Sequence, residues 1–165
     1  MTQLYAQPYN IDATGFFFTS EEEFQERSND NCDRFGQRVE EYEIQFIDGE
    51  TIDAELARAF ELSQCNFGIF QLSAENWSDD QKTRFVIAVA ECGYDASIDP
   101  DEVEIDIYEL DSLTELAEHF IEEGLFGEIP ERLRFYLDLD AIARDLSMDY
   151  SEATIAGRRI IYRCG

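Results

Sequence analysis

The side chains best suited to chemistry in this chain are carboxylates: 38 Asp and Glu stand against 12 Lys and Arg, with one His. Asp95, Ser97, Asp99, Asp101 and Asp106 follow the spacing of an EF-hand calcium loop. That loop needs Gly for its sharp turn where this chain has Pro100, and a bidentate Glu where it has Asp106, so the fit fails. Pro100-Asp101 followed by Glu104 matches part of a metal-dependent nuclease signature, yet the sole lysine, Lys82, lies upstream and out of register. A nuclease also needs a cationic cleft for its substrate, which this composition can hardly build. His119 stands among Glu115, Glu118, Glu122 and Glu123 and reads as a surface residue rather than a catalytic base. There is no G-x-S-x-G elbow, no phosphate-binding loop and no dinucleotide fingerprint. No catalytic residue, metal or cofactor is expected. The enzymatic alternative is a carboxylate-dependent hydrolase whose two working acids come from separate segments.

The charge itself is the stronger signal. The formal net charge is -26, several times the magnitude of about 2 to 8 usual for a small soluble domain. It is spread along the chain, with net -11 over residues 1–61, -6 over 62–103 and -9 over 104–165, whereas an acidic tail would concentrate it. Neutralising phosphates takes clustered Lys and Arg, so direct binding to nucleic acid or to an anionic membrane is excluded. So much charge would suggest disorder, but 44% apolar residues, 13 Phe and 8 Tyr can fill a core. The longest apolar run, Phe85 to Ala90, is far short of the ~20 residues that span a bilayer. No basic and then apolar leader follows Met1, so a cytoplasmic location is expected. Cys32, Cys65, Cys92 and Cys164 lie far apart without a C-x-x-C pair, and reduced, mostly buried thiols are expected.

The elements that must carry this charge read as α+β. Leu4–Tyr9 and Gly15–Thr19 are expected strands, and Ser20 with Glu23 has the spacing of a capping box opening a helix through about Phe35. Tyr42, Ile44 and Phe46 alternate with polar residues as a half-buried strand does. Ile52, Leu56, Ala59 and Phe60 have helical spacing, while residues 64–73 are apolar without a period. Ser78 with Gln81 and Ser112 with Glu115 repeat the capping spacing ahead of two further helices, and Val103–Ile107 alternates as a strand. Pro130 stands at an expected helix start with Leu133 and Leu137 inward, and a last helix carries Ile142, Ala143 and Leu146. A closing hairpin turns at Ala156-Gly157. Three modules are expected: an α/β module over 1–61, a mainly helical one over 62–103 and an α/β module over 104–165.

Within these elements the acids are ordered. Asp111, Glu115, Glu118 and Glu122 fall four, three and four apart, one stripe along a helix whose other face is apolar; Asp138, Asp145 and Asp149 repeat the pattern at seven and four. Glu21, Glu22 and Glu23 form another patch. Ordinary solvated helix faces mix signs, and like charges at these spacings destabilise a helix by a few tenths of a kcal/mol per pair (~0.2–0.5). Rigidly held rows of negative charge resemble the phosphate rows of a duplex. Adaptation to high salt also enriches Asp and Glu, but the abundance of Phe, Ile and Leu fits it less well. A generic acidic chaperone for basic proteins is a further alternative.

One segment carries a resemblance. Phe126-Gly127-Glu128-Ile129-Pro130-Glu131-Arg132-Leu133, continuing through Tyr136-Leu137-Asp138 to Ala143-Arg144-Asp145-Leu146, resembles the antirestriction motif of the ArdA family. The preceding run from Leu116 to Gly124 is similar to the helix leading into that motif. Leu139 and Ile142 replace expected aromatics in its second half. The resemblance implies an elongated chain of three small α/β modules with the C-terminal one at a homodimer contact. It further implies a noncatalytic DNA mimic, encoded by mobile elements and acting in the bacterial cytoplasm, that binds the methyltransferase core of type I restriction-modification enzymes in place of DNA. On that reading the mimic surface comprises Glu21, Glu22, Glu23, Asp111, Glu115, Glu118, Glu122, Asp138, Asp145 and Asp149. The motif and dimer contact would draw on Phe126, Gly127, Pro130, Leu133, Tyr136, Leu137, Ile142 and Arg144.

Overall fold

The computed structural model describes residues 1–165 and has the expected α+β class, with seven helices and two antiparallel three-stranded sheets. The chain forms two compact units, Met1–Glu102 and Val103–Gly165.

In the first unit, β1 (Gln3–Pro8) lies between β2 (Phe16–Phe18) and β3 (Tyr42–Asp48). Leu4 and Ala6 on the inner face of β1 are fully buried, as period-two alternation requires. Gly15 permits the close return of the β1–β2 hairpin, since a Cβ there would lie 2.5 Å from the Ala6 carbonyl oxygen. α1 (Glu21–Asp30) is capped by the Ser20 hydroxyl, which accepts from the Glu23 backbone N–H. It brings Phe24 onto Phe18, with ring centroids 5.1 Å apart, and Phe67 at 4.8 Å closes the cluster. The helix is shorter than its sequence suggests. It stops at Asp30 because Asp33 gathers the following backbone, its carboxylate accepting from the N–H groups of Phe35 and Gln37, and Cys32 bridges to Arg38.

α2 (Thr51–Ala59) starts with a reciprocal box between Glu50 and Asp53. The unperiodic stretch resolves into α3 (Phe67–Asn76), and α4 (Asp79–Ala90) opens with the expected Ser78–Gln81 box. α2 packs on α4, and Phe60, Trp77 and Phe85 stack between the helical elements, with Phe60 and Phe85 centroids 4.6 Å apart. Asp53 and the sole lysine, Lys82, meet inside this packing at 2.7 Å, both buried.

In the second unit β6 (Arg158–Cys164) is central between β4 (Ile105–Tyr108) and β5 (Ser151–Ile155). The β5–β6 turn falls at Ala156-Gly157, both with positive φ, as a tight primed hairpin turn demands. α5 (Leu113–Glu122) and α7 (Leu139–Leu146) pack together, and Leu116, Phe120, Tyr150 and Ile161 form the core. Between them α6 (Glu131–Arg134) is a single turn with no buried residue, so Leu133, expected inward, is 47% exposed. The expectation of four reduced, mostly buried thiols also needs correcting: only Cys32 and Cys65 are free, and both are exposed, whereas Cys92 and Cys164 are disulfide-bonded. No helix is long and apolar enough to cross a membrane.

Candidate interaction surface

The α5 stripe is built by the helix period. Leu116, Ala117, Phe120 and Ile121 are buried, which turns Glu115, Glu118 and Glu122 outward, all exposed. Their separations of three and four residues correspond to axial steps of about 4.5 and 6 Å. Asp111 stands just ahead of the helix: its backbone N–H donates to the Glu115 carboxylate at 2.9 Å, while Ser112 caps the helix by accepting from the Glu115 N–H. Glu115 therefore both supports the helix start and contributes charge. None of Asp111, Glu115, Glu118 or Glu122 forms an ion pair. His119, on the flank of the stripe, is half-buried with its ring 5.8 Å from that of Tyr108, a packing residue more than a surface one.

The other acids divide by position. Asp138 is the cap of α7, accepting from the Ala141 N–H at 3.0 Å, Asp145 lies within the helix, and Asp149 lies beyond its end; all three are exposed and unpaired. Glu21 and Glu22 are exposed in the first turn of α1, where the helix dipole favours negative charge. Glu23 is more constrained. Its carboxylate accepts from the Thr19 backbone N–H, which holds its pKa below the usual glutamate value, and Arg27 pairs with it at 2.7 Å.

The motif segment exposes apolar rather than charged surface. Phe126, Leu133 and Tyr136 are 51%, 47% and 85% exposed, Leu137 and Ile142 are half-buried, and Gly127, Pro130 and Arg144 lie at the surface. Gly127 has φ +86, a conformation that only glycine adopts without strain.

The acids of the 95–106 segment are used locally. The Ser97 hydroxyl and, after it, the Ser97 backbone N–H lower the pKa of Asp95 by hydrogen bonding to its carboxylate, Asp99 accepts from the Asp101 N–H, and Asp106 pairs with Arg163. No three His, Cys, Asp or Glu side chains converge in a metal-holding group. Two features escaped the sequence reading. One is the Lys82–Asp53 pair, signalled only by a lysine amid the apolar positions of α4. The other is a groove of about 570 Å³ beside Trp77, formed where the unperiodic 64–73 stretch becomes helical.

These features define a class: an acidic α+β protein that holds unpaired carboxylates on the outer faces of short, well-capped helices. The family model described as Antirestriction protein (ArdA) matches residues 11–158, most of the chain. The chain belongs to the ArdA antirestriction protein family. No curated protein is significantly similar to it.

Proposed function

We propose that the chain is a noncatalytic DNA mimic that occupies the DNA-binding groove of a type I restriction-modification enzyme, blocking restriction and modification of incoming DNA. The family supports the antirestriction role. The observation that carries the mimic reading is the α5 stripe, whose exposed carboxylates stand in register on a helix anchored by Leu116 and Phe120 with no cation to neutralise them. A chain selected only for stability would place lysines four residues from such acids, since opposite charges at that spacing gain about 0.3–0.5 kcal/mol. Fixed charges need no reorganisation on binding, and an enzyme groove lined with Lys and Arg would meet them as it meets phosphates, with affinity falling as salt rises. Glu21, Glu22, Asp138, Asp145 and Asp149 extend the surface on this reading. Glu23 contributes less, being paired with Arg27.

The large apolar residues Phe126, Leu133 and Tyr136, all exposed within eleven residues of chain, suit a contact between two copies that would remove them from water. The mimic then acts as a homodimer. It works in the bacterial cytoplasm, where the restriction enzymes are, and we read the chain as three modules, 1–61, 62–103 and 104–165.

The deciding experiment is displacement of DNA from a purified type I methyltransferase, with polyglutamate of equal total charge as the control. Displacement at much lower concentration than polyglutamate is expected. Equal potency would reduce the interaction to bulk electrostatics and put a generic acidic chaperone in its place.

A further inference from the structure

The groove in the first unit is lined by Phe60, Ile69, Trp77, Ile98, Asp99 and Pro100, among others, and holds about 570 Å³. Its floor is packed: Phe60 is buried and stacks on both Trp77 and Phe85. Its mouth is open, since Ile69 on α3 is 59% exposed, and Leu72, one turn further along the same helix, is 63% exposed. Asp99 is the one charged residue of the groove lining, and the chain on either side is mostly acidic; Arg58, two residues before Phe60, is exposed and pairs with Glu55. Residues 59–81 contain Glu61, Glu75, Asp79 and Asp80, residues 91–102 contain Glu91, Asp95, Asp99, Asp101 and Glu102, and neither segment contains a Lys or Arg. The nearest lysine along the chain, Lys82, is buried against Asp53 and lends the rim no positive charge.

An apolar floor with Asp99 at its edge, in a predominantly acidic stretch of chain, favours a ligand that is apolar at its centre and cationic around it. We infer that this groove takes one large apolar side chain presented by an Arg- or Lys-rich segment of a protein partner. Proteins that grip and bend DNA carry this combination, an apolar wedge beside cationic side chains. The inference rests on the mimic reading for the nature of that partner and adds to it a contact that charge alone does not make. A free apolar small molecule would leave the acidic rim unused, and a second copy of this chain would bring more negative charge to it.

Trp77 is the only tryptophan of the chain, so its emission reports on the groove in the intact protein. The probe is a short capped peptide with one central Leu flanked by arginines and no aromatic residue, set against the same peptide with Ala in place of Leu. The Leu peptide is expected to bind about tenfold tighter than the Ala peptide, the ratio that burying one such side chain gives, and to shift Trp77 emission. Added salt weakens both peptides and leaves their ratio unchanged. Ile69→Ala and Ile69→Arg, at an exposed site where folding is not threatened, should each bring the ratio toward one. Equal binding of the two peptides, unmoved emission, or a ratio indifferent to both Ile69 variants would overturn the inference. So would a change of oligomeric state in Ile69→Arg, which would assign the groove to a second copy. No methyltransferase enters this assay, so failure of the mimic reading in DNA displacement and failure of the groove are separate results.

Discussion

At the scale of single residues, the Lys82–Asp53 pair is the clearest case of structure overriding composition. In a chain with a large surplus of acids, its sole lysine is spent inside, 2.7 Å from one buried carboxylate and 3.9 Å from the Glu50 carboxylate at the edge. Asp53 also accepts from the Glu50 N–H, so the ion pair holds the start of α2 against α4. Removing one partner leaves the other charged and buried. Lys82→Met is expected to lower unfolding stability in urea by about 3–5 kcal/mol, and Lys82→Met with Asp53→Leu to recover much of that loss. Glu23 offers a second test. Its pKa is lowered chiefly by the Thr19 N–H and further by Arg27, so its stabilising contribution is full above the unfolded value and disappears as pH falls through the lower folded one. Melting temperatures of wild type and Glu23→Gln should differ at neutral pH and converge as pH falls through the lowered folded value.

At the scale of elements, the capped helices were legible and the irregular connections were not. Ser78–Gln81 and Ser112–Glu115 announced α4 and α5 because a cap is a local hydrogen bond between neighbouring positions, and the inward face of α5 followed from its apolar period. α1 overran its true end because nothing in its periodicity shows that Asp33 would gather the backbone at Phe35 and Gln37. α6 was misread for a different reason. Pro130 marks a helix start, but one turn cannot bury Leu133 without a partner surface, and none is present within the unit. The candidate stripe was legible as spacing, while its lack of neutralising partners needed the structure. Replacing Asp111, Glu115, Glu118 and Glu122 by Asn and Gln should cost the fold little, since Gln at position 115 still accepts from the Asp111 N–H. At about 0.5 kcal/mol for each exposed charge, DNA displacement should weaken roughly thirtyfold and lose much of its salt dependence. Unchanged displacement by that variant would leave the stripe as solvated surface only.

At the scale of the whole molecule, a charge of -26 sets two salt responses against each other. Screening relieves self-repulsion, so the melting temperature should climb between about 0.01 and 1 M salt, by some 2–4 °C for each kcal/mol relieved. Over the same range, attraction to a cationic partner should decline. A melting temperature that falls with salt would mean that the internal pairs outweigh the surface repulsion. Assembly is tested at Leu137, half-buried beside the exposed Tyr136. In the proposed dimer Leu137→Asp sediments as a folded monomer, and a variant that stays dimeric removes this residue from the contact.

The burial of Lys82 also makes the folded protein chemically silent at its only lysine. An acylating reagent needs an unprotonated, reachable amine, and here the amine is clamped by Asp53 within the α2–α4 packing. Acylation at that position can proceed only as fast as those helices part, so a mass-spectrometric time course of its labelling is a clock for local opening in an otherwise native chain.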